Sequence, residues 1–287
     1  MARAAITLSI VSHGQPDLAE RLLSDLSALG RNDIEVVYTA NVPERRLMLE
    51  SFGLPMRVVR NDAPCGFGAN HNAAFRLCRT PYFCVLNPDI SLVGDPFEPL
   101  LAECRKPGVG VVAPLVVDMR GECEDSARRF PTLGTLARKA LSRKRALDYG
   151  VPSGHTISPD WVAGMFMLFP SEAFRAVGGF DERFYLYYED VALCRRLRQM
   201  RLDVRLVQSV CVRHLARRES HRNLRYLLWH MESMTKYFLL ARWSDVKTTD
   251  AGWYAGDDAY DRKDRATPPM SSSANVAEGA FRKGYRR

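Results

Sequence analysis

The sequence predicts one α/β domain: a mainly parallel sheet with helices on both faces, extended by a C-terminal helix. Three observations predict it. Short, β-rich apolar runs recur from Ala5 to Val212. Helical segments with their apolar residues on one face separate the early ones. The chain has 287 residues, 46% of them hydrophobic and 26% charged, so it can bury one large core and has an ordinary globular composition. Strands alternating with helices are joined by right-handed crossovers, which sets neighbouring strands parallel and covers both faces of the sheet.

Residues 5–12 are apolar and β-rich and read as a buried strand; without a sizeable basic leader or a cleavage site they do not read as a signal peptide. Pro16 stands at a first helical position, Leu18, Leu22, Leu26 and Leu29 share one face, and Gly30 stops the helix. Residues 34–39 make a second strand, 56–60 a third, 70–78 a helix and 82–86 a fourth strand. Residues 109–117 make another strand, with a turn at 118–121. From 127 to 147, seven Lys or Arg residues and few strand signals predict a mobile or helical insert over the sheet rim. Residues 162–169 return to strand, and Ser171 caps a short helix ending at Gly178. Residues 191–200 form a helix with Leu193, Leu197 and Met200 facing inward, and short strands at 204–207 and 210–212 lead to His214. From 219 to 242 an amphipathic helix carries Leu224, Leu228, Met231, Thr235 and Phe238 near one stripe, suited to packing on the domain or on a second subunit. Beyond Ser244 the chain is rich in Asp, Gly, Ser, Pro and Arg and reads as a disordered tail, 244–287.

Lys plus Arg number 41 against 33 Asp plus Glu, a net charge of +8 that favours an anionic partner. No recognisable nucleic-acid module is present, so nucleic acid is not the expected one. The seven cysteines show no C-x-x-C spacing and lie mostly in apolar runs, which fits reduced thiols in a cytosolic compartment. The apolar run 161–169 is about half the length a membrane-spanning helix needs, so no span is expected.

In such sheets ligands bind beyond the carboxyl ends of the strands. Asn41, Asn61, Asp62, Asn87 and Asp89 fall at or just past predicted strand ends and converge on one rim. Asp89 there can hold a divalent cation, although Asn87-Pro88-Asp89 also makes an ordinary Asx turn. Glu189 and Asp190 follow Phe184, Tyr185, Tyr187 and Tyr188 and precede a helix. Acidic residues at a helix start usually serve its free N–H groups, but a carboxylate among aromatic rings is also desolvated and becomes a better base near neutral pH. His214 ends a strand and is either a hydrogen-bonded structural residue or a further metal ligand. Gly66, Phe67, Gly68, Ala69 and Asn70 form a glycine-bearing loop entering a helix, where backbone N–H groups can meet a phosphate; the loop is neither a Walker loop nor a G-x-G-x-x-G fingerprint.

Taken in order, Val11-Ser12-His13-Gly14, Gly66 to Asn72, Leu86 to Ile90, Trp161 to Gly164, Gly178 to Glu182 and Phe184 to Arg196 resemble the catalytic core of glycosyltransferase family 2. These are inverting enzymes of the GT-A fold, and the resemblance covers about residues 7–238. It implies a catalytic domain over 1–218, with a nucleotide-sugar half of about 1–118 and an acceptor half of about 119–218, followed by the helix at 219–243. It implies donor contacts from Ser12, His13, Asn41, Asn61, Gly66, Gly68, Asn70, Asn87 and Asp89, and acceptor contacts from Trp161, Gly164 and Glu189. Asp190 would be the general base, with Glu189 beside it. Mg²⁺ or Mn²⁺ would be held by Asp89, the remaining carboxylate of a D-x-D motif whose first place Asn87 takes, with His214 joining it. Many relatives carry an acidic residue at the end of the second strand, facing the nucleotide base. Here Tyr38, Thr39, Ala40 and Asn41 stand in that region, which leaves the base open.

The run Arg128-Arg129-Phe130-Pro131-Thr132, with Arg222, Arg225 and Tyr226, resembles rhamnosyltransferase-type members. That implies dTDP-L-rhamnose as donor and a saccharide, lipid-linked, as acceptor in bacterial cell-surface polysaccharide synthesis. The alternatives are a UDP-sugar transferase of the same family, a non-catalytic polyanion-binding protein and a nucleotidyltransferase. The last needs a basic activating segment near its first strand, where His13-Gly14 stands instead. Basic residues between Arg128 and Arg145 suit peripheral contact with an acidic bilayer, although a solvated charged insert is the simpler reading.

Overall fold

The computed structural model describes residues 4–132, 134–135, 147–150, 152–215 and 224–242. In chain order its elements are β1 (Ile6–Ser12), α1 (Pro16–Ala28), β2 (Ile34–Ala40), β3 (Met56–Arg60), α2 (Phe67–Leu77), β4 (Tyr82–Leu86), β5 (Ile90–Leu92), α3 (Phe97–Cys104) and β6 (Val109–Val117). They continue with β7 (Ala127–Arg128), β8 (Thr156–Ile157), β9 (Trp161–Val162), β10 (Phe166–Pro170), α4 (Ser171–Ala176), α5 (Glu189–Gln199), β11 (Asp203–His214) and α6 (Leu224–Arg242).

One sheet runs β3-β2-β1-β4-β10-β6-β11-β5, with β8 paired to β11. The first four strands are the parallel run that alternation predicted: Ile6 stands opposite both Ile34 and Tyr82. β10 then runs antiparallel to β4 on one side and to β6 on the other, while β6 and β11 are parallel. Both faces are covered. On one, Ile6, Leu8 and Ile10 of β1 meet Leu22, Leu23 and Leu26 of α1 in a core that α3 completes with Phe97 and Leu100. On the other, Phe75, Phe83, Phe169, Phe174 and Phe180 pack edge to face or tilted at 4.7–5.6 Å. Buried polar groups on β1 are paired: Ser9 Oγ meets His71 Nδ1 at 2.7 Å, and Thr7 Oγ1 donates to Glu35.

Several boundaries differ from the sequence expectation. The helix expected at 70–78 begins at Phe67, and that expected at 191–200 begins at Glu189, which puts Glu189 and Asp190 inside its first turn. The strand expected at 162–169 is two, β9 and β10, and the two expected at 204–207 and 210–212 are one, bulged between Val207 and Cys211. The sequence reading passed over β5 and α3 altogether. The insert begins as β7, paired with β9, but residues 136–146 lie outside the described residues, as do 219–223 and the tail from 243 onward.

α6 docks by a face other than its apolar stripe. Trp229 stacks on Tyr185 at 4.8 Å, His230 lies against Tyr187 and Tyr188, and Tyr237 against Tyr188. Ser233 Oγ donates to the Leu186 carbonyl at 2.8 Å. Leu224, Leu228 and Met231 remain 77%, 67% and 47% exposed.

Candidate active site

The carboxyl ends of β1, β2, β3 and β4 share one edge, and the strand directions put that of β11 on it as well. Since β10 runs the opposite way, the residues just before it, including Gly164, reach the same edge. Ser12, Asn41, Asn61, Asp89, Gly164 and His214 therefore line one rim.

On the β1–β3 side the asparagines are committed to one another. Asn41 Oδ1 accepts from Cys65 N and from Asn61 Nδ2, both at 2.8 Å, and Asn41 Nδ2 donates to Cys65 O and His13 Nδ1, both at 3.0 Å. Asn61 Nδ2 also donates to Asn70 Oδ1 at 2.7 Å, and Asn70 Nδ2 to the Cys65 and Gly66 carbonyls. This network shapes the loop ahead of α2. Its glycines answer to close packing: a Cβ on Gly66 would lie 2.8 Å from the Tyr185 carbonyl oxygen, and one on Gly68 would lie 2.6 Å from Phe180 Cβ. Ser12 Oγ donates to Glu44 at 2.6 Å, and Tyr38 OH donates to the other oxygen of that carboxylate. Asn87 is half-buried, its N–H bound to the Met165 carbonyl.

Asp89 and His214, 125 positions apart, meet: Nε2 lies 3.1 Å from Asp89 Oδ2, and Nδ1 lies 2.9 Å from Glu124 Oε2. Leu215 N donates to the Asp89 carbonyl and ties the end of β11 to the β4–β5 turn. Burial alone would lower the His214 pKa, but its bonds to the two carboxylates and their charges outweigh that and raise it to about 10. Asp89 Oδ1 is buried without a partner. Among the described residues no three His, Cys, Asp or Glu side chains are arranged to cage an ion. An orphaned carboxylate oxygen beside an imidazole is nonetheless the partial donor set of a hard cation that takes its other ligands from phosphate and water.

Across the rim, α5 begins after two non-glycine residues in left-handed backbone, Tyr187 at φ 71° and Tyr188 at φ 68°. Such strain is held only by surrounding packing and gathers at functional sites. Here the aromatic contacts with α6 hold it. Glu189 is buried and its Oε2 has no partner. Burial, then the neighbouring Asp190 charge, push its carboxyl well above the usual range. Asp190 is also raised by burial, but Oδ2 accepts from Gly164 N at 3.0 Å, Oδ1 from Val191 N at 2.8 Å, and the charge of Arg128 pulls the same way. Burial raises both carboxyls, Glu189 the further, because only Asp190 has the Gly164 and Val191 N–H groups and the Arg128 charge to favour its anion. Gly164 is closely packed: a Cβ there would stand 3.0 Å from Phe67 Cζ, so that ring would have to give way. Trp161 is anchored by Nε1 to the Arg129 carbonyl at 3.0 Å and carries the Arg128 guanidinium over its ring at 5.4 Å.

Sequence reasoning missed Glu44, Glu124 and the approach of Arg128 to Asp190. The first two sit in irregular backbone after β2 and β6 and give no periodic signal.

Residues 7–167 match the sequence model described as "Glycosyl transferase family 2". The chain is 25% identical over 255 residues to the "Rhamnosyltransferase WbbL" of Escherichia coli (strain K12), covering 83% of this chain and 94% of that protein. It is 31% identical over 185 residues to an "N-acetylglucosaminyl-diphospho-decaprenol L-rhamnosyltransferase" of Mycobacterium tuberculosis (strain CDC 1551 / Oshkosh), covering 59% of this chain and only 56% of that one. Among solved structures, GalNAc-T7 with UDP, GalNAc and Mn²⁺ superposes with a TM-score of 0.56 at 16% identity, over 75% of this chain and 44% of that one.

Proposed function

This chain belongs to glycosyl transferase family 2 and has the GT-A fold, and from that premise we propose that it is an inverting, metal-dependent transferase. Its best-supported donor is dTDP-L-rhamnose and its acceptor a lipid-linked saccharide in cell-surface polysaccharide synthesis, at the cytoplasmic face of the membrane. The names of its relatives support the rhamnose reading. The observation that carries the mechanism is Asp190: the member of a buried carboxyl pair whose two oxygens accept from the Gly164 and Val191 N–H groups, on the same rim as Asp89 and His214.

The acceptor hydroxyl attacks the anomeric carbon from the face opposite the diphosphate while Asp190 takes its proton. A new C–O bond forms, the bond to the diphosphate breaks, the diphosphate leaves with the electron pair, and the anomeric centre inverts. Glu189 beside it is the more reluctant of the two to ionise, so the base is Asp190, whose charge the backbone N–H groups favour. Trp161, with Arg128 on its ring, walls the acceptor side. Asp89 and His214 would hold Mg²⁺ or Mn²⁺, whose charge would offset that of the diphosphate, an effect worth several kcal/mol.

Incubating the full chain with dTDP-L-rhamnose, UDP-sugars or GDP-mannose and Mn²⁺, and following nucleoside diphosphate release, tests this. Release is expected from dTDP-L-rhamnose and not after chelation with EDTA. Release from a UDP-sugar instead selects the alternative donor, and release from none sinks the enzymatic reading.

A further inference from the structure

The apolar stripe of α6 faces away from the domain, and nothing among the described residues covers it. Leu224, Leu227, Leu228, Met231 and Leu239 are between 47% and 77% exposed at helical spacing. The opposite face, Trp229, His230, Ser233 and Tyr237, is fastened to residues 185–188, immediately before Glu189 and Asp190. α6 is therefore amphipathic with its polar-aromatic side inward, the inverse of a helix that serves only a core.

We propose that this outer face lies in the surface of an anionic lipid bilayer. The charge is complementary. The helix carries Arg225, Lys236 and Arg242 against Glu232, the sequence just before it, 213–223, has four arginines against one glutamate, and the whole chain is +8. Apolar side chains flanked by cations are what an interfacial helix presents to lipid. No helix among the described residues is long and apolar enough to cross a membrane, so the contact is with the surface. The inference rests on the lipid-linked acceptor reading for its purpose. A helix that meets lipid on one side and the Tyr185–Tyr188 turn on the other holds the acceptor edge of the site where such a saccharide is found.

Flotation of the full chain with phosphatidylglycerol–phosphatidylcholine vesicles, and with phosphatidylcholine alone, tests the contact, with light scattering for mass and nucleoside diphosphate release as an independent readout. The wild type is expected to float with the anionic vesicles. The pairs Leu224→Glu/Leu228→Glu and Leu224→Ser/Leu228→Ser, at exposed positions outside the site, should each lower partitioning at least about tenfold with unchanged release and melting temperature. Wild-type chain that stays at the bottom of the gradient overturns the proposal, as do variants that float equally well. A wild-type dimer that the substitutions split, with no lipid binding, assigns the face to a second copy instead and also overturns it. Flotation by a chain that releases nucleoside diphosphate from no sugar supports the bilayer contact while sinking the transferase reading.

Discussion

Glu189 and Asp190 are neighbours in sequence with opposite assignments, and two substitutions separate them. Asp190→Asn should lower turnover by roughly 100-fold to 10,000-fold, the usual range for a general base, while donor affinity, read by calorimetry, holds. Glu189→Gln replaces the carboxyl with an isosteric amide that does not titrate. Because the Glu189 pKa is raised on folding, its contribution is fully present below the ordinary carboxylate range and is lost as pH rises through its raised value. The melting temperature of Glu189→Gln should therefore gain on the wild type as pH increases, and parallel curves would sink that assignment. His214 is raised as well, so in metal-free protein its stabilising contribution is present below 6.5 and lost as pH rises through about 10. Its imidazole resonances should stay in the protonated position from about pH 5 to 8. The meeting of Asp89 with His214 could be anticipated only through the family pattern, because a separation of 125 positions carries no spacing signal. Glu124 had no such pattern to reveal it.

At the scale of elements, the start of α2 is pressed against the turn that leads into α5. Gly66→Ala would drive a methyl into backbone, the Tyr185 carbonyl, which cannot rotate away. We expect a loss of about 1–3 kcal/mol in chemical denaturation, with a larger fall in kcat than in donor affinity because the displaced segment carries Tyr187 and Tyr188 to the carboxylates. The strands of the first half were legible because continuous apolar runs leave little choice. α3 was not: Pro96 and Pro99 obscure it, although proline is tolerated in a first turn, where its missing N–H is not needed. α6 was legible as a helix but not as to which side docks. Periodicity locates an apolar stripe, whereas Tyr226, Trp229, His230 and Tyr237 combine apolar rings with polar atoms and form the inner face that the stripe masked.

For the whole molecule the decisive strand is β10, which lies between β4 and β6 and so weaves the second half of the chain into the sheet begun by the first. Residues 1–118 made alone would leave β4 and β6 with open edges, and should aggregate or lack a cooperative unfolding transition by circular dichroism. A monomeric, cooperatively melting fragment would overturn that view. Alternation of strands and helices predicted the parallel run but not this antiparallel strand, since pairing across the sheet is set by neighbours far away in sequence. The same weave imposes a schedule on synthesis. β4 is complete when the ribosome passes Leu86, yet its partner begins at Phe166, a wait of roughly 4–16 s at about 5–20 residues per second. Through that interval the nascent chain presents an unfinished β edge to the cell, a natural place for a chaperone to sit. Slower folding conditions and lower expression temperatures should then change the yield of this protein more than any substitution on its finished surface.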